Sequence, residues 1–331
     1  MSVIRKAIDR MRKGEDIGLD RIGDGTRQRT INPDGTYNME RKTGRLFGNF
    51  YLYHWLITTS WKHYWMVVIG FYVFMNLLFA SAYYLLGVET LNGVPGDDEL
   101  TKFMYCFFFS AQSFTTVGYG AINPLTKMSN VVATLEAFTG LMTFALATGT
   151  LYGRFSKPVS KIKYSKNILI APYKDITGMQ FMVANQLSST LMEMEARINI
   201  SWMEEEGNGK HIRRFQQVNL EFEKIAMFPT SWVINHPIDE DSALYGKTLQ
   251  EIKEMEVEVF VLLKGFDDVF SQTIYSRQSY TADQFVWGAK FRRPFSYNTA
   301  GKLVMDLTKV GEYDFVPTMS VERTEVKTVY K

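Results

Sequence analysis

The sequence is poor in the side chains that form disulfides and metal centres. Cys106 is the only cysteine among 331 residues, which excludes an intrachain disulfide and a cysteine-rich metal site. The four histidines are scattered without ligand spacing, and no hydrolase, P-loop or dinucleotide-binding motif is present. A net charge of +2 gives no support to nucleic-acid binding, and the N-terminus lacks the apolar run of a cleavable signal peptide. We therefore expect no enzyme activity, no cofactor and no nucleic-acid partner.

Two long apolar runs stand out against a mean hydropathy of -0.13, which is too polar for a chain that lies mostly in a membrane. Trp65–Leu86 carries no charge, and Asn130–Tyr152, within a helix expected over about 130–155, holds the single acid Glu136. About 20 apolar residues cross a hydrocarbon core of roughly 30 Å, so both runs are predicted to span the membrane. The shorter aromatic run Phe103–Phe114 is predicted to be a re-entrant pore helix, tolerated at membrane depth because protein surrounds it.

The segment after this short helix is Thr115-Thr116-Val117-Gly118-Tyr119-Gly120. Rings of backbone carbonyls replace the water around a potassium ion when four copies of such a loop meet at an axis. Successive carbonyls point the same way only if right- and left-handed residues alternate, and glycine adopts the left-handed conformation without steric cost. The Thr116 hydroxyl supplies a further oxygen, while Val117 and Tyr119 are expected to point back into the protein. The motif predicts a selectivity filter in a homotetramer, with K⁺ as its only metal ion.

Basic residues flank the two spans on the side of both termini. One series runs from Arg5 to Arg45 and another from Arg154 to Lys166, whereas the connecting segment is mainly acidic. By the positive-inside rule both termini are predicted to be cytoplasmic, in a multi-pass protein of the inner cell membrane. The acidic segment is expected either to concentrate cations at the outer mouth or to be an ordinary solvated surface.

The remaining parts of the chain give a helix and a β-domain. Phe47–Trp61 is amphipathic and aromatic, which predicts an interfacial slide helix. From about Ser165, short alternating runs separated by turn residues predict a β-sandwich. The predicted organisation is an N-terminal segment 1–46, a slide helix 47–62, a pore domain 63–158 and a sandwich 159–331. The N-terminal segment is assigned no structure beyond a strand that could join a neighbour's sheet. The predicted strands are Asn167–Ala171, Gly178–Ala184, Glu193–Trp202, Val218–Phe222, Ser231–Asn235 and Val257–Lys264.

Ordered motifs extend over both parts of the chain. Besides the filter, they are Tyr53-His54-Trp55-Leu56, Arg154-Phe155-Ser156-Lys157-Pro158, Val183-Ala184-Asn185, Glu195-Ala196-Arg197, the segments from Ile238 to Tyr245 and from Ser279 to Gly288, and Tyr313-Asp314-Phe315-Val316-Pro317-Thr318. With these residues the chain resembles the inward-rectifier potassium channel family, most closely its prokaryotic, KirBac-type branch. The resemblance implies a voltage-independent homotetramer with two transmembrane helices. It also implies cytoplasmic immunoglobulin-like domains that extend the conduction path.

The resemblance also assigns roles along the second span. Counting back from Pro158, the pore-facing residues are Phe144, Thr148 and Tyr152. Tyr152 falls at the narrow bundle crossing, where four bulky rings close the pore; plain core packing is the alternative. Gly140 falls at the bend of the family's inner helix, and a helix-packing glycine is the alternative.

Several positions depart from the family pattern. Phe144 and Lys224 stand where strong rectifiers carry acids, so block by the candidate partners Mg²⁺ and polyamines is expected to be weak. Gln112 and Ile122 replace a glutamate–arginine pair beside the filter. We therefore expect Gln112 and the intramembrane acid Glu136 to support the filter through hydrogen bonds and packing. Without the ion pair, we expect a weaker preference for potassium over other cations.

Two further groups of residues follow from the resemblance. The loop Gly265–Tyr275 corresponds to a narrowing of the cytoplasmic pore, where Asp268 is expected to attract cations and Ser271 replaces a glycine. Anionic membrane lipids are the expected regulators, because each basic residue near an anionic membrane contributes about 1 kcal/mol to binding. Generic positive-inside charge is the alternative explanation. The candidate lipid-binding residues are Lys62, Arg154, Lys157, Lys161, Lys163 and Lys166.

Three functions remain open to comparison. A potassium channel is favoured by the filter and by the spans beside it. A weakly selective cation channel keeps the fold but loses the preference for potassium. A non-conducting membrane anchor for a binding sandwich has no need of the filter glycines.

Overall fold

The computed structural model describes residues 29, 31–32, 35–38, 51–95, 98–157, 160–206 and 210–316. The chain divides into two compact units. The helical unit is Lys42–Lys157, and the sandwich unit joins Met1–Arg41 to Pro158–Lys331. Most of the predicted N-terminal segment, the first residues of the slide helix and Pro158 lie outside the described residues.

The structure describes four α-helices in the helical unit. Helix α1 (Leu52–Thr58) lies within the predicted slide helix, and α2 (Trp61–Leu86) and α4 (Lys127–Phe155) are long and apolar enough to cross a membrane. The pore helix α3 (Glu99–Phe114) begins four residues before the predicted Phe103. Asp98 explains the difference, because its carboxylate accepts a hydrogen bond from the Thr101 amide at 2.9 Å and caps the helix. Hydropathy alone does not detect such a polar first turn.

A capping motif also determines where α4 begins. Thr126 and Ser129 form a capping box, in which each side chain binds the backbone amide of the other residue. Helix α4 therefore begins at Lys127 rather than at the predicted Asn130. Above the pore helix, two short strands, β1 (Leu91–Asn92) and β2 (Asn123–Pro124), pair antiparallel and join the segments on either side of the filter.

The helical unit has a small core around the pore helix. Buried residues of α2 and α3 pack together here, and Tyr83 stacks edge-on against Phe109 with ring centroids 5.0 Å apart. Ile122, which follows the filter, is 7% exposed and belongs to the same cluster. Ile122, which was predicted to stand in place of the arginine of an ion pair, is therefore held by apolar packing.

The sandwich unit contains two five-stranded sheets. One has the order β11–β10–β6–β7 with β8 also paired to β6, and the other has the order β12–β4–β5–β3 with β9 also paired to β5. The pairings within these sheets are antiparallel except for β4 with β12. The strands of the sheets, in chain order, are β3 (Ile162–Tyr164), β4 (Ile168–Tyr173), β5 (Ile176–Asn185), β6 (Leu191–Glu206), β7 (Lys210–Gln217), β8 (Lys224–Phe228), β9 (Ser231–Ile238), β10 (Glu258–Asp267), β11 (Gln272–Thr281) and β12 (Phe285–Trp287).

Shorter elements complete the unit. Helix α5 (Leu249–Glu254) precedes β10 and is capped by Thr248. Beyond the sheets, β13 (Ala289–Phe291) pairs with β16 (Tyr313–Phe315), and β14 (Phe295–Tyr297) pairs with β15 (Leu303–Met305).

One continuous apolar core draws residues from both sheets. Phe181 and Ile234 from one sheet and Ile198 and Val259 from the other are each at most 1% exposed. Five of the six predicted strands are confirmed, as β4, β5, β6, β9 and β10, because apolar and polar residues alternate along them. The strand predicted at Val218–Phe222 is wrong, because these residues form an irregular connection between β7 and β8. Val218 is a single buried core residue of this connection. Its apolar side chain therefore resembled part of a strand in the sequence, although no strand forms.

A short N-terminal segment docks onto the first sheet. Ile31 and Tyr37 form an antiparallel bridge, and Ile31 is buried against Phe260 of β10. The Arg29 guanidinium donates to the backbone carbonyl and the hydroxyl of Ser279 in β11. The expected addition to a neighbour's sheet is therefore not needed to place these residues, since they bind the sheet of their own chain.

His236 fixes the loop after β9. Its Nδ1 lies 2.7 Å from the Asn219 carbonyl oxygen, so Nδ1 carries the proton and Nε2 accepts a hydrogen bond from the Ser242 hydroxyl at 2.8 Å. The ring is 2% exposed, and burial lowers the pKa of His236, against the raising effects of the hydrogen bond to Asn219 and of the Asp239 charge.

We predict that the sandwich unit loses stability as the pH falls below the ordinary histidine pKa of 6.5. Because the folded pKa is the lower one, the unfolded chain takes up the proton first, and the loss is complete below the folded pKa. His236→Asn keeps a donor for the Asn219 carbonyl but does not titrate. Chemical unfolding followed by tryptophan fluorescence between about pH 5 and 8 should show a flatter profile for this variant. An unchanged profile would refute the assignment.

Candidate ion pore

The backbone of the filter segment alternates between the two hands of φ. Thr116, Gly118 and Gly120 have positive φ values of 59°, 48° and 82°. Val117 and Tyr119 lie between them and are absent from the positive-φ residues of the described chain. The predicted left-handed conformation of Gly118 and Gly120 is thereby confirmed, and Thr116 adopts the same conformation despite its branched side chain.

The amides of this segment are turned toward the pore helix. The Thr116 amide donates to the Ser113 carbonyl at 3.1 Å, and the amides of Val117 and Gly118 donate to the Gln112 carbonyl at 3.0 and 3.3 Å. In a planar trans peptide the preceding carbonyl points opposite to the N–H, so the carbonyls of Thr115, Thr116 and Val117 point away from the pore helix. Such a row of carbonyls is suited to coordinating a dehydrated cation.

The predicted support residue Gln112 acts through its main chain. Its carbonyl oxygen accepts both filter amides, at the C-terminal end of α3. Thr115 closes the helix in a similar way, since its hydroxyl donates to the Ala111 carbonyl at 2.7 Å. The negative end of the helix dipole therefore lies beside the filter and favours a cation there.

Glu136 lies behind the pore helix and is 0% exposed within a single protomer. Its carboxyl group contacts the Tyr83 hydroxyl at 2.7 Å and the Ser110 hydroxyl. This position agrees with its predicted role in filter support. Sequence reasoning missed Ser110, Tyr83 and the neighbouring Asn76; an asparagine within an uncharged span was the available signal.

Gly140 packs directly on the end of the pore helix. A Cβ atom at this position would lie 1.9 Å from the Phe114 carbonyl oxygen. The geometry favours the helix-packing alternative for Gly140, because only glycine allows α4 to approach the pore helix this closely. A hinge at Gly140 stays a prediction.

The predicted pore-lining residues have few contacts within their own protomer. Phe144 and Tyr152 are each 73% exposed, and Thr148 is exposed as well. Each step of four residues turns a helix position by about 40°. Gly140 faces the pore helix. Because Tyr152 lies three such steps later, its side chain faces a different direction. These side chains are free to line a pore or to meet other subunits.

Arg154 has a different position from the one expected of a lipid ligand. Its guanidinium donates to the carbonyls of Leu56 and Thr59 at 2.5 and 2.8 Å, at the end of the slide helix. The same group lies 4.5 Å from the Trp61 ring centroid and 4.7 Å from that of Tyr64. Arg154 thus joins α1, α2 and α4, and both of its terminal guanidinium nitrogens bind carbonyls within the protein.

The other candidate lipid residues fall into two groups. Lys62 and Lys157 of the helical unit are exposed, and so are Lys161 and Lys166 of the sandwich unit. Lys163 is half-buried, and its ammonium donates to the Leu307 carbonyl at 2.6 Å. The structure therefore leaves four of the predicted lysines available to a headgroup and assigns Lys163 a structural bond.

The tip of the β10–β11 hairpin carries the predicted cytoplasmic pore residues. Asp268 and Ser271 are exposed, and Ser271 has a φ of +51°. Ser271 therefore adopts the left-handed conformation that glycine favours at this place. The turn is fixed by Asp267, whose carboxylate accepts the amides of Val269 and Phe270 at 2.9 and 3.1 Å.

Lys224 also lies on an exposed part of the sandwich unit. Its ammonium is 3.8 Å from a carboxylate oxygen of Glu195, which pairs at 2.9 Å with Arg197 as well. The hydrogen bond from Arg197 lowers the pKa of Glu195. The acid at this place is therefore neutralised by two cations, which does not favour the binding of polyamines.

Comparison with known proteins agrees with this geometry. The profile of the inward rectifier potassium channel C-terminal domain matches residues 162–330, and an ion channel profile matches residues 71–157. The inward rectifier potassium channel Kirbac3.1 of Paramagnetospirillum magnetotacticum is 31% identical over 86% of this chain and 95% of its own length. G protein-activated inward rectifier potassium channel 3 of Homo sapiens is 24% identical over 91% of this chain and 81% of its own.

Two helices long and apolar enough to cross a membrane, with a shorter helix and a loop of aligned carbonyls between them, are the elements of an ion-channel pore. The chain belongs to the inward rectifier potassium channel family. The resemblance is thereby confirmed, and the relatives are channels rather than enzymes.

Among solved structures, the sporulation control protein Spo0M of Bacillus subtilis aligns with 37% of this chain and 49% of its own at 8% identity, with a TM-score of only 0.21.

We predict that Gly140→Ala destabilises the helical unit by about 1–3 kcal/mol, the usual cost of overpacking. Either α4 or the pore helix must shift to admit the added methyl group. Gly149→Ala is the matched control, because a Cβ there meets no atom of its own protomer within 4 Å. Thermal unfolding of the two purified variants measures the difference. Equal losses in both variants would argue against a close contact at Gly140.

We predict that Arg154→Lys destabilises the helical unit nearly as much as Arg154→Ala, by about 1.5–3 kcal/mol. Lysine keeps the positive charge but lacks the planar fork that binds both carbonyls. Lys157→Ala, at an exposed position of the same segment, should leave the unfolding temperature unchanged. An Arg154→Lys protein with the stability of the wild type would show that only the charge matters.

Proposed function

We propose that this chain forms a homotetrameric, potassium-selective channel of the inner cell membrane with both termini in the cytoplasm. The proposal rests on two observations. The φ values are positive at Thr116, Gly118 and Gly120, in alternation with their neighbours, and amides of the filter segment donate hydrogen bonds to carbonyls of the pore helix. One protomer supplies one row of carbonyls, and four rows around an axis are needed to replace the hydration shell of K⁺. The ordered filter argues against a non-conducting anchor.

The proposed gate is the ring of four Tyr152 side chains at the bundle crossing, with Phe144 and Thr148 lining the cavity above it. Phe144 carries no charge, and the acid nearest to Lys224 is paired with two cations. Both features support weak block by polyamines or Mg²⁺. In the proposed assembly, immunoglobulin-like sandwich units continue the path for ions, with Asp268 and Ser271 at a narrowing.

Anionic lipids are the proposed regulators of this channel. Lys62, Lys157, Lys161 and Lys166 are exposed and carry positive charge, which supports binding to anionic headgroups. Arg154 then contributes by holding the slide helix against the inner helix rather than by binding lipid directly.

A weakly selective cation channel is the second candidate. It is favoured by Ile122, which is buried in an apolar cluster at the place where relatives have the arginine of an ion pair. A filter without that pair depends on hydrogen bonds and packing for its width. Reversal potentials in mixed potassium and sodium solutions separate the two candidates.

The direct test is potassium-driven flux through the purified protein in liposomes that contain anionic lipid. We expect barium-sensitive uptake that disappears in Gly118→Asp, because an aspartate cannot adopt the filter backbone without strain. If the wild type passes no ions in any lipid, Tyr152→Ala decides the outcome. Flux in that variant would indicate a closed gate, and its absence would refute a channel.

A further inference from the structure

Four polar side chains meet behind the pore helix, and all four are buried inside one protomer. Asn76 of α2, Ser110 of α3 and Glu136 of α4 are 0% exposed, and so is Tyr83 of α2. Their burial is complete before any subunit is added, so no neighbouring chain supplies a further partner. The bonds of the cluster must therefore be accounted for by these side chains and the main chain around them.

The hydrogen-bond roles at the two ends of the cluster are fixed. Asn76 Nδ2 donates to the Tyr72 carbonyl at 2.7 Å, so Asn76 Oδ1 is the atom that faces the Ser110 hydroxyl, at 3.2 Å. At the other end, the Tyr83 hydroxyl donates to Glu136 Oε2 at 2.7 Å. Both Asn76 Oδ1 and an ionised carboxylate are acceptors only.

The number of protons then decides the state of the carboxyl group. The Ser110 hydroxyl lies 3.2 Å from both the side-chain Oδ1 and the backbone carbonyl oxygen of Asn76 and also contacts Glu136 Oε1, but it has one proton to donate. If Glu136 is ionised, this proton cannot serve both Glu136 and Asn76, and one side of Ser110 faces an acceptor without a hydrogen. If Glu136 is protonated, its hydroxyl donates to Ser110 and the two Asn76 oxygens share the Ser110 proton, so that each neighbour of Ser110 has a hydrogen bond.

The charge balance leads to the same result. A carboxylate buried at membrane depth requires a cationic partner or many donors. Among the described residues, no lysine, arginine or histidine forms an ion pair with Glu136. Tyr83 and the buried Cys106 are the other titratable groups at this place, and neither is a cation.

The cluster is linked to the filter through the pore helix. Glu136 contacts Ser110, and Gly140, one turn later on α4, contacts Phe114, one turn later on α3. Two contacts with the same spacing on both helices fix the position of α3 along α4. The carbonyl of Gln112, which holds two filter amides, lies between these contacts.

We propose that Glu136 is uncharged in the folded channel and acts, with Ser110 and Asn76, as a positioning residue for the selectivity filter. The relay of hydrogen bonds from Glu136 through Ser110 to Asn76 ties the pore helix to both spans. Its role in ion selection rests on the proposed function, whereas its protonation state does not.

Infrared spectroscopy tests the protonation state without any flux. At neutral pH, the difference spectrum between wild type and Glu136→Gln should contain the C=O band of a protonated carboxyl group. Glu99→Gln is the matched control, because Glu99 also accepts a hydrogen bond from a tyrosine, Tyr84, but is exposed and pairs with Lys102. The bond from Tyr84 lowers the pKa of Glu99, so the control should lose carboxylate bands only. If Glu136→Gln also removes only carboxylate bands, the proposal is wrong.

Selectivity tests the positioning role. Glutamine offers the same donor and acceptor as a protonated glutamate, so Glu136→Gln should retain the wild-type ratio of potassium to sodium flux. Glu136→Leu and Ser110→Ala should lower that ratio by about tenfold while tetramers are still isolated. A Glu136→Gln protein that loses selectivity or fails to fold would overturn the proposal, as would a Glu136→Leu protein with normal selectivity. If the wild type conducts nothing, the proposed function fails and the infrared result still decides the charge of Glu136.

Discussion

The filter depends on the hydrogen bonds that two of its amides make to one carbonyl at the end of the pore helix. Because the amides of Val117 and Gly118 are bound to Gln112, the direction of the filter carbonyls follows from the position of α3. The capping residue Asp98, the buried polar cluster and the contact at Gly140 all act on that one helix. A displacement of the pore helix would therefore change the positions of the filter carbonyls directly.

In a single protomer, the side chains behind the filter are covered by other residues, whereas those in front of it are exposed. Polar groups on the rear side are buried and bonded, whereas Val117, Tyr119, Phe144 and Tyr152 are more than half exposed. Large apolar side chains in such number are rarely left uncovered in a stable protein. In the proposed assembly, part of this surface faces lipid and the remainder forms the subunit contacts and the central path.

Much of this architecture could be predicted from the sequence, because its strongest determinants are local. Hydropathy located both spans, and alternation located five of the ten strands in the two sheets of the sandwich unit. The glycines of the filter indicated its backbone conformation. Errors arose where local signals compete: Val218 is a buried residue of a connection, and the polar first turns of α3 and α4 are invisible to hydropathy.

The roles of single polar residues were harder to predict, since they depend on contacts between distant parts of the chain. The basic character of Arg154 suggested lipid binding, but both of its terminal nitrogens bind carbonyls nearly a hundred positions earlier in the chain. Likewise, nothing near Ser110 in the sequence indicates that Asn76 and Glu136 meet it. Only a three-dimensional arrangement shows how many protons such a cluster needs.

A structure of the purified protein in a membrane-like environment, with Rb⁺ or Tl⁺ in place of K⁺, would show directly whether the filter holds ions. We expect four protomers around an axis, with a line of anomalous density between the carbonyls of Thr115 to Gly120. An assembly without fourfold symmetry, or a fourfold assembly without ions in the filter, would contradict it.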